Sequence, residues 1–137
     1  MYVLDTDILT LYQLGDSSVC RRVAEHPSDE LTVTIITVEE QLSSWYTLVR
    51  RAKRRDELAR VYERFADNVR FLSQLQILSF REAAIARFEE LNRMKLGVRA
   101  MDLRIAAIAL DCGATVVTRN RRDFDCVPDL QVEDWSS

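Results

Sequence analysis

Residues 101–118 read MDLRIAAIALDCGATVVT, and this stretch joins a helix to the strand that follows it. Apolar residues recur at three- and four-residue steps through its first part, which predicts a helix over residues 100–112. The β-branched run ATVVT predicts a strand over residues 114–118. A helix that leads through a short turn into a strand is typical of α/β proteins with a parallel sheet.

The same alternation of strands and helices runs through the rest of the chain. Strands are predicted over residues 2–4, 30–37, 76–79, 114–118 and 130–134, and helices over residues 7–13, 17–27, 38–54, 56–74, 81–94 and 100–112. Strands that alternate with helices usually pair in parallel and are covered on both faces. We therefore expect an α/β fold with a central, mostly parallel sheet of about five strands.

The composition indicates one folded domain over residues 1–137, since 47% of the residues are apolar and 30% are charged. No apolar run approaches the roughly 18 residues needed to cross a bilayer. No basic segment precedes the first strand, as it would in a secretory signal. The three cysteines are widely spaced, match no zinc pattern and are predicted to be reduced packing residues. These features predict a cytoplasmic protein without a membrane segment.

Four acidic residues lie at the ends of predicted elements. Asp5 follows the first strand, and Glu40 follows the second. Asp102 opens the helix before the fourth strand, and Asp123 follows that strand. Sites in parallel sheets form at the carboxyl ends of the strands, so several of these acids are expected to meet. Gathered carboxylates repel one another unless a cation neutralises them, and oxygen ligands without matching His or Cys favour Mg²⁺ or Mn²⁺.

Each acid also has a purely structural interpretation. Thr37 and Glu40 match a capping box at a helix start. Asp102 can be a first-turn acid that interacts with the helix dipole. Asp7 can cap the first helix, and Asn120 can cap a short helix that contains Asp123 three residues later. Such caps account for each acid separately, but they do not explain why the acids all lie at the same edge of the predicted sheet.

Helical geometry bears on which acids are functional. At about 100° per residue, Glu40 shares its face with small polar residues such as Ser44, which leaves room for water, metal or substrate. Glu39 lies nearer the apolar stripe and stays an alternative to Glu40. Asp102 shares its face with Ile105, and an acid on an apolar face needs a partner or a ligand.

Four stretches resemble the PIN-domain nucleases, and specifically the VapC-type toxins of bacterial toxin–antitoxin pairs. YVLDTDIL (2–9) is similar to the family's opening strand and first acid, and ITVEEQL (36–42) to its second acidic motif. MDLRIAAIALDCGATVVTRNRRDF (101–124) resembles its third acid, alanine-rich helix, strand and T-R-N-x-x-D-F turn. LQVEDW (130–135) resembles its last strand, so the ordered likeness covers nearly the whole chain.

The resemblance implies a single PIN domain with an α/β/α sandwich, and a Mg²⁺- or Mn²⁺-dependent endoribonuclease that hydrolyses RNA phosphodiester bonds. It implies that Asp5 and Asp102 are the principal metal ligands and that Glu40 is the third catalytic acid. Asp123 matches the last catalytic acid, while the fourth ligand can be Asp123, Asn120 or neither. One or two metal ions are compatible with this set.

Three further residues are candidates for the same site. Asp7 adds a carboxylate where many members of the family carry Asn, so its role stays open. The hydroxyl groups of Thr6 and Thr118 can position water or phosphate, although threonine at the end of a strand is more often structural.

Basic residues lie beside the acids in the sequence. Arg119, Arg121 and Arg122 are candidates for contacts with RNA phosphates. The segment 50–65 carries seven more basic residues, which can extend a phosphate-binding track or form solvated helix faces. The net charge of −3 shows that any such track is local.

The resemblance also implies protein partners. A cognate antitoxin is expected to press a helix or an extended tail into the groove, and a homodimer is expected as well. The apolar stripes of helices 38–54 and 56–74 are candidate dimer faces or simply core. Two other functions remain open, namely a PIN nuclease of RNA processing without an antitoxin, and a non-catalytic module that binds RNA or protein.

Overall fold

Five strands and seven helices make up the chain in a computed structural model that describes residues 1–137. The strands β1–β5 are Tyr2–Leu4, Leu31–Thr34, Gln76–Leu78, Thr115–Val117 and Gln131–Glu133. The helices α1–α7 are Thr6–Gln13, Ser17–Ala24, Ile35–Arg51, Arg55–Ser73, Glu82–Arg93, Ala100–Cys112 and Arg121–Phe124. Each predicted strand and helix is therefore confirmed as an element, with shifted ends.

The sheet is parallel throughout, in the order β3-β2-β1-β4-β5. The chain first moves outward from β1 to β3 and then returns to the other side of β1 with β4. The strand order consequently reverses between β1 and β4, where Leu4 pairs with Val117. Ligands of open α/β sheets bind beside such a reversal, at the carboxyl ends of the strands.

Two separate apolar cores cover the two faces of the sheet. Successive strand side chains point to opposite faces, so Val3 packs with α5 and α6 while Leu4 packs with α1, α2 and α4. Val116 and Val117 divide in the same way. This arrangement confirms the predicted α/β/α sandwich.

The turn after β1 is built by Asp5. Its carboxylate accepts a hydrogen bond from the Thr6 amide at 2.9 Å, so Asp5 caps α1. The expectation that Asp7 caps this helix is wrong, because α1 begins at Thr6 and Asp7 already lies in its first turn. The functional candidate and the helix cap are thus the same residue, Asp5.

The start of α3 also differs from the prediction. The strand predicted over 30–37 ends at Thr34, whose hydroxyl caps α3 through the amide of Thr37 at 3.2 Å. This cap turns Ile35 into a helical residue in spite of its β-branched side chain. The predicted capping box of Thr37 and Glu40 is therefore wrong, and Glu40 lies in the second turn, where the helix no longer needs it as a cap.

The cysteines are free thiols, but only one of them is partly packed. Cys20 is half-buried, whereas Cys112 and Cys126 are exposed, so the prediction that all three are packing residues is wrong. None of the helices combines the length and the apolar character that crossing a bilayer requires.

Candidate active site

Asp5 and Thr118 meet at the reversal of strand order, because they directly follow the paired ends of β1 and β4. The Asp5 amide donates to the Val117 carbonyl at 2.9 Å, which extends the sheet by one bond. The Thr118 hydroxyl donates to one carboxylate oxygen of Asp5 at 2.8 Å, and the Thr6 amide donates to the other. Both side-chain oxygens of Asp5 are therefore held in fixed positions.

The Asp5 carboxyl is nearly buried, with 8% of the residue exposed. Burial raises its pKa from 3.8 to about 6, and the neighbouring charge of Asp7 adds to the rise. The hydrogen bond from Thr118 acts in the opposite direction, and the charge of Asp102 raises the pKa a little further. A carboxylate this costly to ionise is a typical property of a functional site.

Asp7 lies two residues after Asp5, in the first turn of α1, and is bound by the backbone that follows β4. One of its oxygens accepts a hydrogen bond from the Arg119 amide at 3.1 Å, whereas the other is buried and has no partner. Burial is the main cause that raises the pKa of Asp7. The buried hydroxyl of Thr6 likewise has no hydrogen-bond partner.

Asp102 lies across the groove in the first turn of α6, and only 3% of it is exposed. Arg99 holds it with two bonds, from Nε at 3.2 Å and from Nη2 at 3.0 Å. The same Nη2 lies 3.6 Å from a carboxylate oxygen of Glu40, so one guanidinium bridges two of the predicted acids. Burial raises the pKa of Glu40, and the charge of Arg99 opposes this rise.

These side chains line one groove of about 780 Å³. Its acidic wall is formed by four carboxylates, those of Asp5, Asp7, Glu40 and Asp102. The apolar residues Leu14, Trp45 and Leu48 lie along the same groove. Three of the four acids that the sequence placed at strand or helix ends thus line the same groove, namely Asp5, Glu40 and Asp102. They are joined there by Asp7, which was an additional candidate.

The structure also separates the two candidates after β4. Asn120 lines the groove, whereas Asp123 does not and instead accepts a hydrogen bond from the Asn120 amide group at 3.0 Å. Asn120 precedes α7 but makes no side-chain capping bond to its backbone, so its predicted capping role is wrong. Asp123 therefore orients Asn120, and Asn120 presents its side chain to the groove.

The neighbouring arginines lie outside the groove. Arg119, Arg121 and Arg122 are exposed, and Arg121 pairs with Asp125 at 3.4 Å. The basic segment around residues 50–65 reaches the site through Arg64, which lines an extension of the groove beside Trp45. These arginines therefore place positive charge around the groove, whereas Arg99 is the one that lies among its acids.

The two glutamates of α3 point to different places. Glu40 is 23% exposed at its side chain and lines the groove with Asp102, whereas Glu39 is exposed and lies outside that groove. The helical geometry expected from the sequence thus agrees with the position of Glu40.

Several residues of the groove were missed at the level of sequence. Arg99 stands three residues before Asp102, a spacing at which side chains on a helix meet, so this pair was detectable. Trp45 donates from its indole nitrogen to Asn68 at 3.1 Å and stacks on Phe65 at an angle of 7°. Those contacts join α3 to α4 over 20 or so residues, and no local pattern indicates them.

The donor chemistry of the groove fits a hard cation. Its lining contains carboxylate, amide and hydroxyl oxygens and no His or Cys, as Mg²⁺ and Mn²⁺ prefer. The unpartnered buried oxygens of Thr6, Asp7 and Gln41 all belong to this lining. No three of the acidic side chains are close enough together to hold an ion. The Arg99 guanidinium lies beside both Asp102 and Glu40.

Comparisons with known proteins agree with this fold. No family model matches the chain. The chain is 38% identical over 69 residues to the tRNA(fMet)-specific endonuclease VapC of Salmonella typhimurium, a match that covers 47% of this chain and 52% of that protein. The matched segment thus spans about half the length of this relative.

Two further comparisons cover the whole chain. Ribonuclease VapC1 of Haemophilus influenzae is 25% identical over 138 residues, which cover 99% of this chain and 98% of the relative. The solved structure of VapBC-1 from nontypeable Haemophilus influenzae superposes with a TM-score of 0.73 at 25% identity, over 99% of this chain and 98% of that one.

Proposed function

We propose that this chain, a VapC-type PIN domain in sequence and fold, is a metal-dependent endoribonuclease and the toxin of a toxin–antitoxin pair. The observation that carries the proposal is the acidic wall of the groove, where Asp5 and Asp102 are both buried and lie beside Asp7 and Glu40. Burying several carboxylates in one groove is costly unless a cation binds them. The names of the curated relatives, an endonuclease and a ribonuclease, support the same activity.

Asp5 and Asp102 would hold Mg²⁺ or Mn²⁺, and Glu40 would serve as the third acid. When bound, such an ion supplies the positive charge that hydrolysis of an anionic phosphodiester requires. The Thr118 hydroxyl keeps Asp5 in position, and the Asp7 oxygen without a partner is free to accept a proton or a hydrogen bond from water. Asn120, oriented by Asp123, also faces the groove, beside the four carboxylates.

The RNA strand would run along the groove away from the acids. Trp45 and Leu48 offer apolar surface for bases, and Arg64 offers a positive charge at the extension of the groove. Arg119, Arg121 and Arg122 would contact phosphates that lie outside the groove. Of the two tryptophans, Trp135 is fully buried, so quenching of tryptophan fluorescence by RNA would report on Trp45.

The protein partner would be a cognate antitoxin, whose segment fills the same groove and places a basic residue near the acids. Exposed apolar side chains on α3 and α4, Tyr46 and Tyr62 among them, would form the contact in a homodimer. The free thiols agree with a reducing compartment, and we place the activity in the cytoplasm. A small adjacent gene for a DNA-binding protein would support the antitoxin, whereas a solitary gene would favour a nuclease of RNA processing.

The proposal is tested on the purified chain without a partner, incubated with structured RNA in EDTA, Mg²⁺ or Mn²⁺. We expect cleavage that requires a divalent ion and is lost in Asp5→Asn. Asp129→Asn is the matched control, because Asp129 is exposed and its left-handed backbone (φ 66°) suits asparagine equally well. RNA cleavage by Asp5→Asn at the normal rate would refute the assignment of the site.

A protein that binds RNA but neither cleaves it nor binds Mn²⁺ would be a non-catalytic module. Binding is read from Trp45 fluorescence on Asp5→Asn, which separates capture of RNA from its hydrolysis. If adding RNA leaves the Trp45 fluorescence unchanged, the RNA binds elsewhere on the surface.

A further inference from the structure

Arg99 is the only basic side chain that contacts the predicted metal ligands. It precedes α6 as the N-cap residue but makes no capping bond with its side chain. Its guanidinium instead makes two bonds to Asp102 and lies 3.6 Å from Glu40. The arginine is thus directed to the acids rather than to the helix end.

The exposure of the three partners is very unequal. The side chain of Arg99 is 65% exposed, whereas that of Asp102 is 3% exposed and that of Glu40 is 23% exposed. A buried carboxylate must have a counter-ion or a proton, while a largely exposed arginine can leave at little cost because water solvates it. Asp102 therefore depends on Arg99 far more than Arg99 depends on Asp102.

A divalent cation and this guanidinium compete for the same carboxylate. Arg99 uses both oxygens of Asp102, and two positive charges bound to one carboxylate repel each other strongly when little water screens them. We propose that Arg99 is a resident counter-ion, which neutralises Asp102 and Glu40 in the metal-free protein and is displaced when a divalent ion binds. Arg99 thereby sets how much free metal the site requires.

This inference rests on the proposed function, since it assigns a residue to the metal site of that function. A purely structural ion pair at the start of α6 makes the opposite prediction for metal. If Arg99 only stabilised the helix, its removal would leave metal affinity unchanged or reduce it, because Asp102 would be less well positioned. Displacement requires that removal of Arg99 increase the affinity.

The test is calorimetric titration of Mn²⁺ into the full chain, comparing the wild type with Arg99→Gln. We expect about tenfold tighter binding in the variant, the size of effect that a charged hydrogen-bonded pair commonly has. We also expect a lower melting temperature in EDTA and a larger rise on adding Mn²⁺ than in the wild type. The matched control is Arg81→Gln, because Arg81 pairs with Asp111 at the other end of α6, 3.5 Å away and outside the groove.

Equal or weaker Mn²⁺ binding by folded Arg99→Gln overturns the inference while leaving the proposed metal site intact. No binding by either protein overturns both. Should Arg99→Gln fail to fold, Arg99→Lys keeps the charge but loses the two-pronged geometry, and its Mn²⁺ affinity must then exceed that of the wild type. Affinity at or below the wild-type value in Arg99→Lys refutes displacement equally.

Discussion

Replacing Asp5 by asparagine should stabilise the metal-free protein at neutral pH. The pKa of Asp5 is about 6 in the folded protein, against 3.8 for an ordinary aspartate, chiefly because the carboxyl is buried. Each pKa unit corresponds to about 1.4 kcal/mol, so ionising Asp5 costs the fold about 3 kcal/mol. Asparagine removes this cost and keeps an oxygen that can accept the bond from the Thr6 amide.

The sign of the pH dependence follows from proton binding. Between about pH 4 and pH 6 the folded protein retains a proton on Asp5 that the unfolded chain has released, so the free energy of unfolding falls as the pH rises. Above this range Asp5 is ionised in both the folded and the unfolded state, and the free energy of unfolding falls no further. The free energy of unfolding of Asp5→Asn lacks this fall. Its excess over the wild-type value should therefore be small at about pH 4 and grow to about 3 kcal/mol at pH 7.5.

Urea unfolding in EDTA at these two pH values, followed by circular dichroism, measures the effect. The substitution also alters the hydrogen bond with Thr118, but this changes the free energy of unfolding by the same amount at both pH values. The diagnostic quantity is therefore how much the stability difference between variant and wild type changes from one pH to the other. Asp129→Asn, again the exposed control, should show no such difference. An advantage that is the same at both pH values, or a variant that is less stable at pH 7.5, would refute the burial of a costly charge at Asp5.

Two other predictions concern neighbouring residues. Glu40→Gln should slow RNA cleavage at least about tenfold, the effect typical of residues that support a metal site. Glu39→Gln should cleave RNA at nearly the wild-type rate. The reverse order in a cleavage assay would mean that Glu39 is the functional acid. Thr118→Val removes the hydrogen bond that lowers the pKa of Asp5, so the midpoint of the pH dependence of Mn²⁺ binding should move to higher pH. An unchanged midpoint in Mn²⁺ titrations between pH 5 and pH 8 would show that Thr118 does not stabilise the charged form.

The alternation of strands and helices was sufficient to predict the fold. The β-branched and helical runs identify every strand and the main helices, and parallel pairing follows because each pair of consecutive strands is separated by a helix. The ends of elements were less predictable. At Thr34 a hydroxyl group starts α3 within a β-branched run, and a propensity for strands cannot register a competing side-chain cap.

The candidate acids were also visible in the sequence, since Asp5, Glu40 and Asp102 stand at the ends of predicted elements. Their protonation was not, because the pKa of Asp5 depends on burial by residues far away in the chain and on Thr118, which is 113 positions later. The choice between Asn120 and Asp123 likewise depended on which side chain faces the groove.

The sequence by itself determined the order of the elements, the parallel sheet and the edge at which the acids gather, because hydrophobic periodicity and strand connections are local properties. Only the tertiary structure decided which groups neutralise those acids. Arg99 reaches Asp102 locally, but its bridge to Glu40 joins α3 to α6 across the groove. Charge pairing depends on distance and burial in space, and only the folded chain sets both.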